Sequence, residues 1–203
     1  TVDQLLQSAI DLKDDGELLD ALNLLDRAIT IEPLRTELWL ERGDLLGALG
    51  NHCRAIADFD RAFQFGVPLD ERPDALVGRG WNREQLGQFR EALADYDRAL
   101  ELQADHPMAL NNRAWIRATC PDDALRDGAA AIRDAESACE LTEWADSGCM
   151  DTLAAAHAEA GDFAEAIRII REALELEDAD PEEFAEHLAA FEQGQPLRVG
   201  PAS

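Results

Sequence analysis

Thr36–Phe65 reads TELWLERGDLLGALGNHCRAIADFDRAFQF, and this stretch decides the fold. Over Thr36–Leu49 apolar residues recur three and four apart, the spacing that lines one face of an α-helix. Gly50-Asn51 interrupts the pattern and Cys53–Phe65 resumes it. The stretch reads as two helices joined by a tight turn, where glycine takes backbone angles that other residues resist. Antiparallel helices approach closely only where side chains are small. Gly43 on the first helix is therefore expected to meet Ala55 on the second, with Phe59 filling the space beside them.

The same landmarks recur along the chain. Alanine pairs stand at Ala21/Ala28, Ala55/Ala62, Ala92/Ala99, Ala131/Ala138 and Ala166/Ala173, their first members 34, 37, 39 and 35 residues apart. A small residue precedes each pair (Ala9, Gly43, Gly80, Ala114, Ala154), and a turn glycine recurs at Gly16, Gly50, Gly87 and Gly161. A larger residue, Leu25, Phe59, Tyr96 or Ile170, lies between the paired alanines. Pro33, Pro68, Pro107 and Pro181 stop one unit and open the next. Five helix–turn–helix units follow, at about 2–35, 36–72, 73–106, 107–146 and 147–180. Residues 181–193 add an amphipathic helix with Phe184, Leu188 and Phe191 on one face, suited to cover the last apolar surface of a stack. The expected fold is all-α: one α-solenoid over 1–193 with a C-terminal capping helix, then a loose tail over 194–203.

These units resemble the tetratricopeptide repeat, a helix–turn–helix of about 34 residues. Trp39-Leu40-Glu41-Arg42-Gly43 with Ala55, Phe59 and Ala62 carries the resemblance most clearly. Leu76…Gly80 with Ala92, Tyr96, Ala99 and Pro107 is a second copy. The resemblance covers residues 2–180 and implies a scaffold for protein–protein interaction. A narrower likeness lies in Asn111–Asp122, Arg126-Asp127-Gly128, Ala138–Thr142 and Asp151–Ala156. It is similar to terminal repeats of certain bacterial arrays, in which an A-W-x-x-A-T-C-P-D…R-D-G segment lengthens the turn. That likeness implies a bacterial source and a module of a larger protein. No polar cap precedes the first unit, so further repeats or another domain are expected before Thr1.

Composition removes other classes. Forty-three acidic and 18 basic side chains leave a formal charge of −25, which repels phosphate backbones, so no nucleic-acid partner is expected. No apolar run reaches the length of a membrane span, and 46% apolar content is too high for a disordered acidic chain. His52, His106, His157 and His187 fall in different units without metal-ligand spacing, and no cofactor is implied. Gly78-Arg79-Gly80 resembles part of a phosphate loop, but it lacks a preceding strand and the third glycine, and reads as a helix-contact glycine with its neighbours. Ser8, Ser137, Ser147 and Ser203 show no nucleophile-elbow context. Asp178, Asp180, Glu182 and Glu183 suit a helix N-terminus better than a calcium loop. No catalytic residue stands out, and the compartment stays open. Cys139 and Cys149 flank one turn, where they either pair or remain two reduced thiols.

Two patterns concern charge and the interaction surface. Arg42, Arg79 and Arg113 stand one residue before the small contact residue, and Asp58, Asp95 and Asp134 three after the first alanine, which reads as a repeated structural ion pair. First helices of such arrays line the inner face. Projecting them gives a candidate partner-binding set: Leu6, Ile10, Leu40, Glu41, Asp44, Val77, Trp81, Glu84, Asn111, Asn112, Trp115, Asp151 and Thr152. The same projection places Lys13, Glu37, Asp74, Met108, Thr119, Ala155 and Glu159 on the inner face with them. Trp81 and Trp115 fit either a groove or packing between repeats. Some tetratricopeptide proteins hold a terminal carboxylate with lysine and arginine on this face; here that face is acidic. The expected ligand is a protein or peptide that is apolar and basic or neutral. The alternative is a regulatory or substrate-adaptor module of a larger enzyme, and self-association through stacking of array ends is a further option.

Overall fold

The computed structural model describes residues 1–199. Among them are eleven α-helices and no strand: α1 (Val2–Asp14), α2 (Leu18–Ile31), α3 (Thr36–Ala48), α4 (His52–Phe65), α5 (Arg72–Gln85), α6 (Phe89–Leu102), α7 (Pro107–Thr119), α8 (Gly128–Leu141), α9 (Ser147–Glu159), α10 (Phe163–Ala173) and α11 (Pro181–Glu192). The architecture is an all-α repeat solenoid. It divides into two compact units, Thr1–Asp95 and the residues from Tyr96 onward, with the boundary inside α6.

In the first unit α1 pairs with α2 and α3 with α4. The turn between α3 and α4 follows from Gly50, whose φ of +72° closes the helix while the Asn51 N–H donates to the Leu46 carbonyl at 2.7 Å. Phe59, 1% exposed, lies against two glycines on different helices. A Cβ on Gly43 would stand 3.1 Å from its ring, and one on Gly78 only 2.7 Å. Glycine at these positions lets α3 and α5 close on an aromatic side chain whose burial contributes roughly 1.5–3 kcal/mol.

The arginine–aspartate pattern forms a ladder, with one partner more per rung than the sequence reading supplied. Arg42 grips Asp58 with Nε and Nη2 at 2.7 and 2.8 Å, and its Nη1 reaches Asp26 of the preceding repeat at 2.6 Å. Arg79 does the same with Asp95 (3.0 and 2.6 Å) and Asp60 (2.6 Å). In the second unit Arg113 holds Asp134 (2.8 and 2.7 Å) and Asp97 (2.8 Å). Asp58, Asp95 and Asp134 are buried, so each needs this planar, two-pronged partner to offset lost hydration. The missed signal is a second acidic residue two places on, as in Asp58-Phe59-Asp60 and Asp95-Tyr96-Asp97.

The second unit pairs α7 with α8 and α9 with α10, and α11 closes it with Phe184 and Phe191 buried. Asp180 caps α11, accepting from the Glu182 and Glu183 N–H groups at 3.0 Å each. Cys139 and Cys149 are free, buried thiols, each pushed up to about 12 chiefly by burial. The expected loose tail needs correction for its described part. Leu197 packs on the apolar core of this unit, Arg198 pairs with Glu159 at 2.7 Å, and the Val199 N–H donates to the Thr119 carbonyl at 3.1 Å. The carbonyls left unpaired at the end of α7 and the Glu159 carboxylate at the end of α9 hold the tail down. Residues 200–203 of that expected tail lie outside the described residues.

Candidate functional site

On α3 the residues Glu37, Leu40, Glu41 and Asp44 are spaced three and four apart and share one face. Opposite them stand Glu71, at the start of α5, and Asp74 and Ala75 within it. Together with the edge of Phe59 these residues enclose a cleft of about 270 Å³ in the first unit, apolar at Leu40 and Phe59 and acidic around them. Two cations border it. Lys13 binds Glu41 at 2.8 Å, and Arg35 binds Glu37 at 2.7 Å. Burial alone would lower the Lys13 pKa, but the Glu41 carboxylate outweighs it and raises it.

Asp44 is the most perturbed carboxylate of the cleft. The walls strip part of its hydration, Glu41 and Asp74 add repulsion against the relief from Lys13, and its pKa is pushed up to about 6. Its side chain still opens to water, so the cost to stability is smaller than the same shift would carry in a sealed site. Glu71 is raised for the same reasons, desolvation first and then Asp70 and Glu37. Carboxylates held beyond their ordinary range by crowding and like charge are relieved by an arriving cation.

Of the sequence-predicted set, Leu40, Glu41 and Asp44 come together here. Glu71, Phe59 and Ala75 join them unannounced, although Asp70-Glu71 just ahead of Pro73 marked an acidic helix start. Ile10 packs half-buried on the first unit's core, and Glu84 is half-buried on α5. Trp81 is 37% exposed with its edge to His52 at 5.5 Å.

Four members need correction. Leu6 and Val77 are buried, as are Asp151 and Thr152 in the second unit, so none is open to a partner. Neighbouring first helices lie side by side and bury the residues that turn toward one another. On α9 the cover is α11, whose His187 Nδ1 meets Asp151 Oδ1 at 2.8 Å. Burial raises the Asp151 pKa against the pull of His187. For His187, burial works downward, but the Asp151 carboxylate prevails and raises it. His187, in the sequence only one of four histidines without metal-ligand spacing, helps to fasten the capping helix beside the buried Phe184 and Phe191. Asn111, Asn112 and Trp115 remain half-buried on α7, and Asn111 Oδ1 is a buried acceptor without a hydrogen-bond partner among the described residues.

Among the described residues no cluster of three or more His, Cys, Asp or Glu side chains is arranged to hold a metal ion, and no helix is long and apolar enough to cross a membrane.

Three family models, each described as tetratricopeptide repeat, match residues 6–66, 73–106 and 147–176, together more than half of the sequence. No curated protein matches it. Among solved structures, a chain of the APC/C hetero-tetramer Cut9–Hcn1 is similar with a TM-score of 0.81 at 17% identity, over 95% of this chain and 36% of that one. A tetratricopeptide repeat protein from Parabacteroides merdae gives 0.73 at 21% identity, over 95% and 73%. YrrB, described as a TPR protein with an unusual peptide-binding site, gives 0.67 at 17% identity, over 91% and 90%. The chain spans little more than a third of the Cut9–Hcn1 match, and at these identities the likeness is one of fold.

Proposed function

This chain belongs to the tetratricopeptide repeat family, and we propose that it is a non-enzymatic scaffold whose first-unit cleft receives an apolar, basic segment of a protein partner. Proteins of this family mediate protein–protein interaction. The carrying observation is the cleft itself: Glu37, Glu41, Asp44, Glu71 and Asp74 around an apolar floor, with Asp44 raised to about 6. An apolar side chain would rest on Leu40, with the buried Phe59 beneath, while a lysine or arginine would relieve the carboxylates. An acidic segment would meet net repulsion, since Lys13 and Arg35 are already engaged by Glu41 and Glu37.

Calorimetric titration with three peptides of equal length and apolar content, one basic, one neutral and one acidic, tests this reading. The basic peptide should bind most tightly, lose affinity with added salt, and lose most of it in an E41Q/D44N/D74N variant. Equal binding of the acidic peptide, or an unchanged triple variant, would overturn it.

A further inference from the structure

After α11 the chain turns at Gly194 and runs back over the ends of α9 and α7. Leu197 packs half-buried against the apolar core of the second unit. Arg198 Nη2 lies 2.7 Å from Glu159 Oε2, and its Nη1 reaches the Ala118 carbonyl at 3.5 Å. The Val199 N–H donates to the Thr119 carbonyl at 3.1 Å. These acceptors are available because α7 ends here. Cys120 turns into extended backbone (φ −54°, ψ 136°), which leaves the last carbonyls without helical partners.

The lengthened turn of the fourth repeat builds the other wall. Arg126 donates from Nε to Glu159 Oε1 at 2.9 Å and from Nη1 to the Cys120 carbonyl at 2.7 Å. Glu159 is thus fixed from one side by the turn and from the other by Arg198. It stands at the end of α9, beside the end of α7, where the helix dipoles add negative potential and favour a cation. An apolar contact surface, a fixed carboxylate and a backbone acceptor, met by three consecutive residues, form a recognition site for an extended segment.

We propose that this shelf is a second peptide-binding site, selective for an extended segment with an apolar residue followed by arginine, and that Leu197-Arg198-Val199 of the chain occupies it in cis, Val199 contributing its backbone N–H. The proposal shares the reading of the protein as an interaction scaffold and does not depend on the first-unit cleft. A segment tethered this closely competes at an effective concentration in the millimolar range, so an external peptide binds well only when the tethered one is disabled.

The test is fluorescence polarisation of a labelled, end-blocked GQPLRV peptide against the whole chain. Replacing the tethered anchors in an L197A/R198A variant should tighten probe binding by about tenfold or more over wild type. Adding E159Q should abolish that binding, as should alanine in place of arginine in the probe, which alters no protein residue. The E41Q/D44N/D74N variant should bind the probe as wild type does, so a failure of the cleft reading stays separate from a failure of this one. No gain in L197A/R198A, or binding indifferent to the probe's arginine, would overturn the proposal.

Discussion

Asp44 shows how one side chain can work for binding and against stability. Because its pKa in the folded protein is raised to about 6, the native state binds its proton more tightly than the unfolded chain does. This group's destabilising contribution is therefore present above about pH 6 and relieved as pH falls through it. Affinity for a basic peptide runs the opposite way, since protonation removes the attracting charge. Asp44→Asn should make both responses flatter, weaken the peptide several-fold at pH 8 and leave thermal stability equal or slightly higher. Peptide titrations and melting curves at pH 5 and pH 8 check this. At Gly78 the effect is steric: Gly78→Ala sets a methyl carbon 2.7 Å from a buried ring and should cost about 1–3 kcal/mol in urea unfolding. Gly43→Ala, at 3.1 Å, should cost less.

Helices are joined by side chains that the repeat pattern reveals only in part. Alignment of Arg79 with Asp95 was legible because the pair recurs in register, whereas Asp60, on the preceding repeat's helix, needs the packed array to become a neighbour. Arg79→Ala should cost about 3–5 kcal/mol, reduced to the extent that Arg83, 2.7 Å from Asp95, takes over the charge. Arg79→Lys should recover only part of that loss, because an ammonium cannot grip two oxygens in one plane. Denaturant midpoints of the two variants test the ranking. The capping helix α11 depends on His187 and Asp151, both with raised pKa values. Groups raised in the folded state stabilise below their unfolded pKa and lose that contribution as pH rises through the folded one. Amide exchange in α11, corrected for intrinsic rates, should therefore accelerate as pH rises above the ordinary histidine range, and His187→Gln should make it less pH-dependent.

The net charge of −25 belongs to the molecule as a whole, spread over repeats rather than gathered in one tail. Self-repulsion of that size is screened by salt, so moderate sodium chloride should raise the melting temperature while weakening a basic ligand. A scan of melting temperature against ionic strength that stays flat would contradict the first half. Helix pairing, the five-fold repetition and the arginine–aspartate register follow from the sequence alone, because helical periodicity and recurrence are local properties that survive without coordinates. The membership of the cleft does not. A helical projection fixes the direction in which Leu6, Val77, Asp151 and Thr152 point, but burial depends on which helix lies in that direction and how near it comes. For the same reason, Glu71 joins the cleft from the N-terminus of α5 and Leu197-Arg198-Val199 folds back on the second unit, both through contacts between residues far apart in sequence. Periodicity specifies the helices and their apolar faces; only the packed tertiary structure decides which parts of those faces remain open.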